Sequence, residues 1–162
     1  MNSGKVEVAF CRGIHVIRLK GDVRLNLSSA LEQYINEVLT KPGFSNVVID
    51  LSEADGVDST TLGQMAKVSI LCREQHNITP TISSPNPGIT KILMSMGFDQ
   101  VFHIIDEPFT DEAHFCEWVA GALTEDQARD QVISAHRVLM SLNEKNKDAF
   151  RELVDTLESD RS

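Results

Sequence analysis

Basic charge is scarce in this chain. Fifteen Lys and Arg stand against 24 Asp and Glu over 162 residues, a formal net charge of −9. Nucleic acid is a poor partner for such a surface, because its phosphates need Lys and Arg to neutralise them. The same charge argues against an anionic membrane surface. A protein with basic patches would be electrostatically welcome. Long apolar runs are also missing: none approaches the ~20 residues that a membrane span requires. The opening Met1-Asn2-Ser3-Gly4-Lys5-Val6-Glu7 has no apolar core of signal-peptide length. These absences predict a soluble, cytoplasmic protein. Cysteine is sparse and odd in number. Cys11, Cys72 and Cys116 lie far apart and make no CxxC pair. Neither a disulfide framework nor a zinc site is supported, and reduced core cysteines are expected.

Catalytic signatures are absent too. No GxxxxGK[ST] or GxGxxG phosphate loop occurs, and no HExxH. His15, His76, His103, His114 and His136 are scattered one per predicted element, without ligand spacing, and read as surface or half-buried residues. Ser59 has no GxSxG elbow around it. The expectation is a protein that is not an enzyme and carries no cofactor or metal.

What is present suits one compact domain with an appendage: 41% of residues are hydrophobic and 24% charged. Val6, Val8 and Phe10 alternate with polar neighbours, Arg12-Gly13 turns the chain, and Ile14, Val16, Ile17 and Leu19 follow. This predicts a β-hairpin ending at Gly21. From Asn26 or Ser28, Leu27, Leu31, Tyr34, Ile35, Val38 and Leu39 mark one face of a helix that Lys41-Pro42-Gly43 stops. Val47-Val48-Ile49-Asp50-Leu51 reads as a strand buried on both faces. An acidic turn, Ser52 to Val57, leads into a helix from Ser59 to about Gln75. A short strand over 79–82, a helix over 89–96 closed by Gly97, and a strand over 101–105 complete a ββαβαβαβ order. That order implies an α/β fold, a mixed sheet with helices packed on it.

Asp58-Ser59-Thr60-Thr61-Leu62-Gly63 stands where the third predicted strand hands over to a helix. Asp, Ser and Thr are preferred helix caps, and capping alone accounts for such a cluster. A serine at that place is also ready for phosphorylation, because the added dianion would meet unbonded N–H groups and the positive end of the helix dipole.

Together, the element order and this helix start resemble the STAS domain of bacterial anti-sigma factor antagonists, over residues 4–105. That family carries D-S-[ST]-G-L-G at the start of a helix. The resemblance implies that Ser59 is the phosphorylated serine and that Asp58 flanks it. It puts Thr60, Thr61, Leu62 and Gly63 in the partner contact. Gly21-Asp22-Val23-Arg24 looks like the family's G-[ED]-[LIV]-D loop, which sits beside the phosphoserine helix, so Asp22 and Arg24 join the partner-binding set. Two positions depart from the pattern. Thr61 replaces the family glycine, and Arg24 replaces the loop aspartate. Arg24 could instead pair with a phosphate on Ser59.

Pro108 marks a boundary between a STAS domain over 1–107 and a C-terminal helical extension over 108–162. Phe109, Phe115, Trp118, Val119 and Leu123 predict an amphipathic helix over about 109–123. Thr124, with Gln127 at the capping-box position, predicts a second helical stretch to about Leu157, interrupted or kinked at the polar run Asn143 to Asp148. The apolar stripe of this extension either completes the core or serves a partner or a dimer. A STAS domain with a helical tail resembles the HsbA-like antagonists. The implied partners are an anti-sigma factor, a serine kinase and a PP2C-type phosphatase, alone or within a response regulator. The alternative is a STAS-type module that senses a nucleotide or another small molecule. Its phosphate cradle would have to come from the Ser59 helix start or the Pro87-Gly88 loop. A transporter role is disfavoured by the missing membrane segments.

Overall fold

Alternation and a two-residue turn build the front of the chain. The computed structural model describes residues 4–109 and 113–160, apart from the side chains at 25 and 26. In it Lys5–Cys11 (β1) and Ile14–Val23 (β2) pair antiparallel, with Ala9 opposite Val16. Arg12 and Gly13 both take positive φ, 53° and 82°. That geometry matches the twist of the strands it joins, and glycine adopts it without a Cβ penalty. β2 runs past Gly21, where the sequence predicts its end. Its register shifts between Gly21 and Asp22, and the strand's end pairs in parallel with Ala54–Val57 (β4). The stretch expected to be an acidic turn is therefore largely a strand.

Leu25–Tyr34 (α1) is extended by a π-helical turn, Ile35–Leu39. Leu31, Tyr34, Ile35 and Leu39 are buried, as their spacing predicts. Asn46–Asp50 (β3) is flanked by β2 and Thr81–Ser83 (β5), both parallel to it, and Val47, Val48 and Ile49 are buried. Ser59–Leu71 (α2) passes into a π-helical turn, Cys72–His76, that stops at left-handed Asn77. Pro87–Ser95 (α3) and a 3₁₀ turn, Phe98–Gln100, lead to His103–Ile105 (β6). Among the described residues the sheet has seven strands in the order β6-β5-β3-β2-β1-β7, with β7 at Cys116–Glu117 and β4 beside β2. Ile17, Leu19, Leu31, Ile49, Leu62 and Met65 lie in the core between this sheet and its helices.

The helix expected over 109–123 is absent from its described part; residues 110–112 lie outside the described residues. Cys116–Glu117 (β7) pairs with β1, and residues 118–124 carry neither helix nor strand. Geometry explains the error. β6 and β7 sit on opposite edges, five strand spacings or about 24 Å apart. Eleven residue steps cover about 17 Å as a helix and about 36 Å extended. A helix is too short for this crossing segment. Its aromatic residues then serve opposite faces: Phe115 lies over the Arg18 guanidinium, 3.8 Å from carbon to ring centroid, and Trp118 meets Tyr34 edge-on at 5.0 Å.

Glu125–Leu142 (α4) begins with the expected capping box. Thr124 N donates to Gln127 Oε1 at 2.9 Å, and Gln127 N donates to Thr124 Oγ1 at 3.1 Å. The polar run breaks the helix at Asn143, which is extended and caps Glu144–Ser159 (α5) through Asn146 N.

Away from the start of α2, His15 sits among Phe10, Phe44 and Tyr34, and its Nδ1 is 2.9 Å from the Tyr34 hydroxyl. Burial holds its pKa below the ordinary 6.5. The unfolded chain therefore binds the proton more readily. The contribution to stability is complete above about pH 6.5 and is lost as pH falls. The urea midpoint should drop between about pH 7 and 5, with a shallower drop in His15→Gln. Parallel curves for the two chains would refute this.

Candidate partner-binding site

The start of α2 is delivered by β3 and β4. Asp58 is extended (φ −82°, ψ 169°), and its Oδ1 accepts from Thr61 N at 2.8 Å. Asp58 is thus the cap, worth about 1 kcal/mol, and Ser59 is the first helical residue. That leaves the Ser59 hydroxyl available for another partner. Asp58 N donates to Val23 O at 3.2 Å. This bond ties the helix start to the Gly21–Arg24 loop, the juxtaposition that the family resemblance implies. Within the loop Arg24 Nε donates to Asp22 Oδ2 at 2.7 Å, and the Arg24 side chain is 71% exposed.

Ser59 is not at an exposed tip. Asp58 and Ser59 are half-buried, and Thr60, Thr61, Leu62 and Gly63 are buried. The cause is α4, which packs along α2. A Cβ built on Gly63 would stand 2.6 Å from Ala135 Cβ, and closer still to the Ala135 carbonyl oxygen. Only glycine allows this backbone-to-backbone approach. Ser59 Oγ lies 2.7 Å from His136 Nε2. His136 Nδ1 lies 2.7 Å from Val132 O, a pure acceptor, so Nδ1 carries the proton. In the neutral ring Nε2 is then bare and accepts from the Ser59 hydroxyl.

Sequence reasoning missed His136, read as a surface or half-buried residue and here 1% exposed. A signal existed. His136 lies on the face marked by Ile133, Ala135 and Leu139, where a polar residue needs a buried partner. Two more cross-contacts are of the same kind. Ser28 Oγ donates to Gln131 Oε1 at 3.1 Å, and Asn146 Nδ2 donates to Met96 O at 2.8 Å. Thr61, in the place of the family glycine, is fully buried, and its hydroxyl has no partner among the described residues.

Both helix starts considered for a nucleotide phosphate are occupied by their own residues. Asp58 caps α2, and Asn86 Oδ1 accepts from Gly88 N at 2.9 Å at the start of α3. No group of three metal-binding side chains occurs among the described residues, and none of the described helices is long and apolar enough to cross a membrane. The sequence model of the family described as STAS domain matches residues 5–110. That stretch holds β1 to β6, the Gly21–Arg24 loop and α2, and ends before β7, α4 and α5.

Proposed function

We propose that this chain, which belongs to the STAS domain family, is an anti-sigma factor antagonist that switches partners at Ser59. STAS domains occur in anti-sigma factor antagonists and in sulfate transporters. The observation that carries the antagonist reading is a serine hydroxyl at the first residue of α2, with the Gly21–Arg24 loop tied beside it through Asp58 N and Val23 O. In the unphosphorylated state the start of α2 and this loop hold the anti-sigma factor, and a sigma factor is released. A serine kinase then transfers the terminal phosphoryl group of a nucleoside triphosphate. The Oγ–P bond forms, the bridge to the β-phosphate breaks, and the hydroxyl proton leaves to the kinase's base.

The phosphate adds about −1.5 to −2 charges beside Asp58. An interface fitted to a neutral hydroxyl then meets repulsion and desolvation, and a cost of several kcal/mol lowers affinity by orders of magnitude. A PP2C-type phosphatase restores the hydroxyl by hydrolysis, alone or as part of a response regulator. The helical tail, α4 and α5, favours the HsbA-like arrangement within the antagonists.

Pull-downs from native lysate with Ser59→Ala and Ser59→Asp baits test the reading. Ser59→Ala should retain a partner that Ser59→Asp loses by about tenfold or more, and should resist phosphorylation. Identical partner sets, or stoichiometric phosphorylation of Ser59→Ala, would overturn it.

A further inference from the structure

The surface that α4 covers on α2 is a seat for a helix. α4 reaches it with a small residue, Ala135, where the two backbones touch at Gly63, and with an acceptor, His136 Nε2, on the Ser59 hydroxyl. We infer that the α4–α5 pair is a dissociable internal ligand of α2. It holds the place that an amphipathic helix of an external partner takes, and it must leave before Ser59 can be reached. The inference deepens the partner-switching reading and rests on it for the identity of the face.

Three observations support dissociation. The first is the chemistry of the contact. The buried residues that the tail contributes are Ile133, Ala135, Leu139 and Val154 on the apolar side and Gln131, His136 and Asn146 on the polar side. The three polar ones bond across to Ser28, Ser59 and Met96 O. Interfaces that separate are more polar than permanent ones.

The second is autonomy. α4 has its own capping box, and α5 is capped by Asn143. The two helices also hold each other. His136 and Phe150 meet edge-on at 5.0 Å between centroids, and Arg137 pairs with Glu158. The pair can leave α2 without unwinding. The third is the connection. Residues 118–124 carry neither helix nor strand, Val119 is 72% exposed, and a Cβ at Gly121 would meet nothing within 4 Å.

Docking and modification are mutually exclusive. With Ser59 Oγ at 2.7 Å from a ring that is itself 1% exposed, no phosphate fits between them. A kinase therefore acts on the undocked form, and the phosphorylated serine bars the tail from returning. An external helix competes for the same seat, so tail occupancy sets the apparent affinity for the partner.

Thiol labelling of the full chain carrying Ser59→Cys, Cys11→Ser and Cys116→Ser tests this, with iodoacetamide as the probe. The remaining native thiol, Cys72, is buried. Adding Ala135→Arg places a long cation where the backbones touch. It should raise the labelling rate at position 59 about tenfold or more. Hydrogen exchange should quicken in α4 while β2 and β3 keep their protection. His136→Leu, which keeps most of the packing and removes the acceptor, should raise the rate about threefold. Unchanged labelling in both variants would overturn the inference. So would loss of protection in β2 and β3 together with α4, because the tail would then belong to one cooperative core. The rate reads occupancy of α2 without any partner present, so its failure is distinct from failure of the bait experiment.

Discussion

Gly63→Ala is expected to lift α4 from α2 and to lower stability by about 3 kcal/mol, the upper end of the cost of overpacking. In a helix with room for a methyl group the same change gains about 1 kcal/mol, because alanine loses less backbone entropy. The sign reverses here because the new atom falls on backbone. It would lie 2.6 Å from Ala135 Cβ and nearer still to the Ala135 carbonyl. A flexible side chain could swing aside, but a helix carbonyl moves only with its helix. The thermal midpoint should fall by about 6–12 °C for a chain of this length. Exchange of α4 and α5 amides should quicken far more than that of β2 and β3. Gly121→Ala is the control, because nothing stands within 4 Å of that site, and its midpoint should not move. A Gly63→Ala chain as stable as the parent would mean that α4 yields freely, and the close seat on α2 would carry no energetic weight.

The STAS portion was legible because local signals agreed with one another. Apolar spacing marked the buried face of α1, and Arg12-Gly13, Lys41-Pro42-Gly43 and Gly97 ended elements where they were expected to. β4 was hidden because Ala54-Asp55-Gly56-Val57 has the composition of a turn. It is a strand only because β2 shifts register and offers an edge. The residues over 109–123 misled for a different reason. Their aromatic spacing fits a helix, yet the crossing from β6 to β7 is too wide for one, and that width follows from strand order, which no local window contains. The site shows the same limit. Asp58 and Ser59 were visible as a helix start, but the partner of the Ser59 hydroxyl lies 77 residues away on α4. His136 could be suspected of burial from its place on the apolar stripe; that it meets Ser59 follows only from how the tail docks.

Arg18→Met should lower stability by about 3 kcal/mol, near the low end for a buried ion pair that loses one member. The Asp50 side chain is wholly buried, and Arg18 Nε donates to its Oδ2 at 2.9 Å. Asp50 Oδ1 accepts from Ser52 N at 3.0 Å and Ser52 Oγ at 2.6 Å. Those two bonds survive the substitution and hold the loss to the low end. Glu53 at 3.4 Å and Glu7 at 4.0 Å also lose their guanidinium, but Lys20 still lies 3.7 Å from each. The cost is therefore chiefly that of a buried carboxylate left without its counter-ion. Arg18→Met combined with Asp50→Leu should recover most of it, because removing both partners leaves no buried charge to satisfy. Urea unfolding of the two single variants and the double variant measures this. A single Arg18→Met chain within about 1 kcal/mol of the parent would show that Ser52 alone suffices for Asp50. The pair also reaches the start of α2. Asp50 ends β3 and holds Ser52 at the turn into β4, which delivers Asp58 and Ser59. On the same guanidinium rests the Phe115 ring of the crossing segment that leads to the tail. Loss of Arg18 should therefore loosen both halves of the α2–α4 contact, seen as faster exchange at Thr61 N than at Leu93 N. Equal exchange at the two amides would confine the role of Arg18 to global stability.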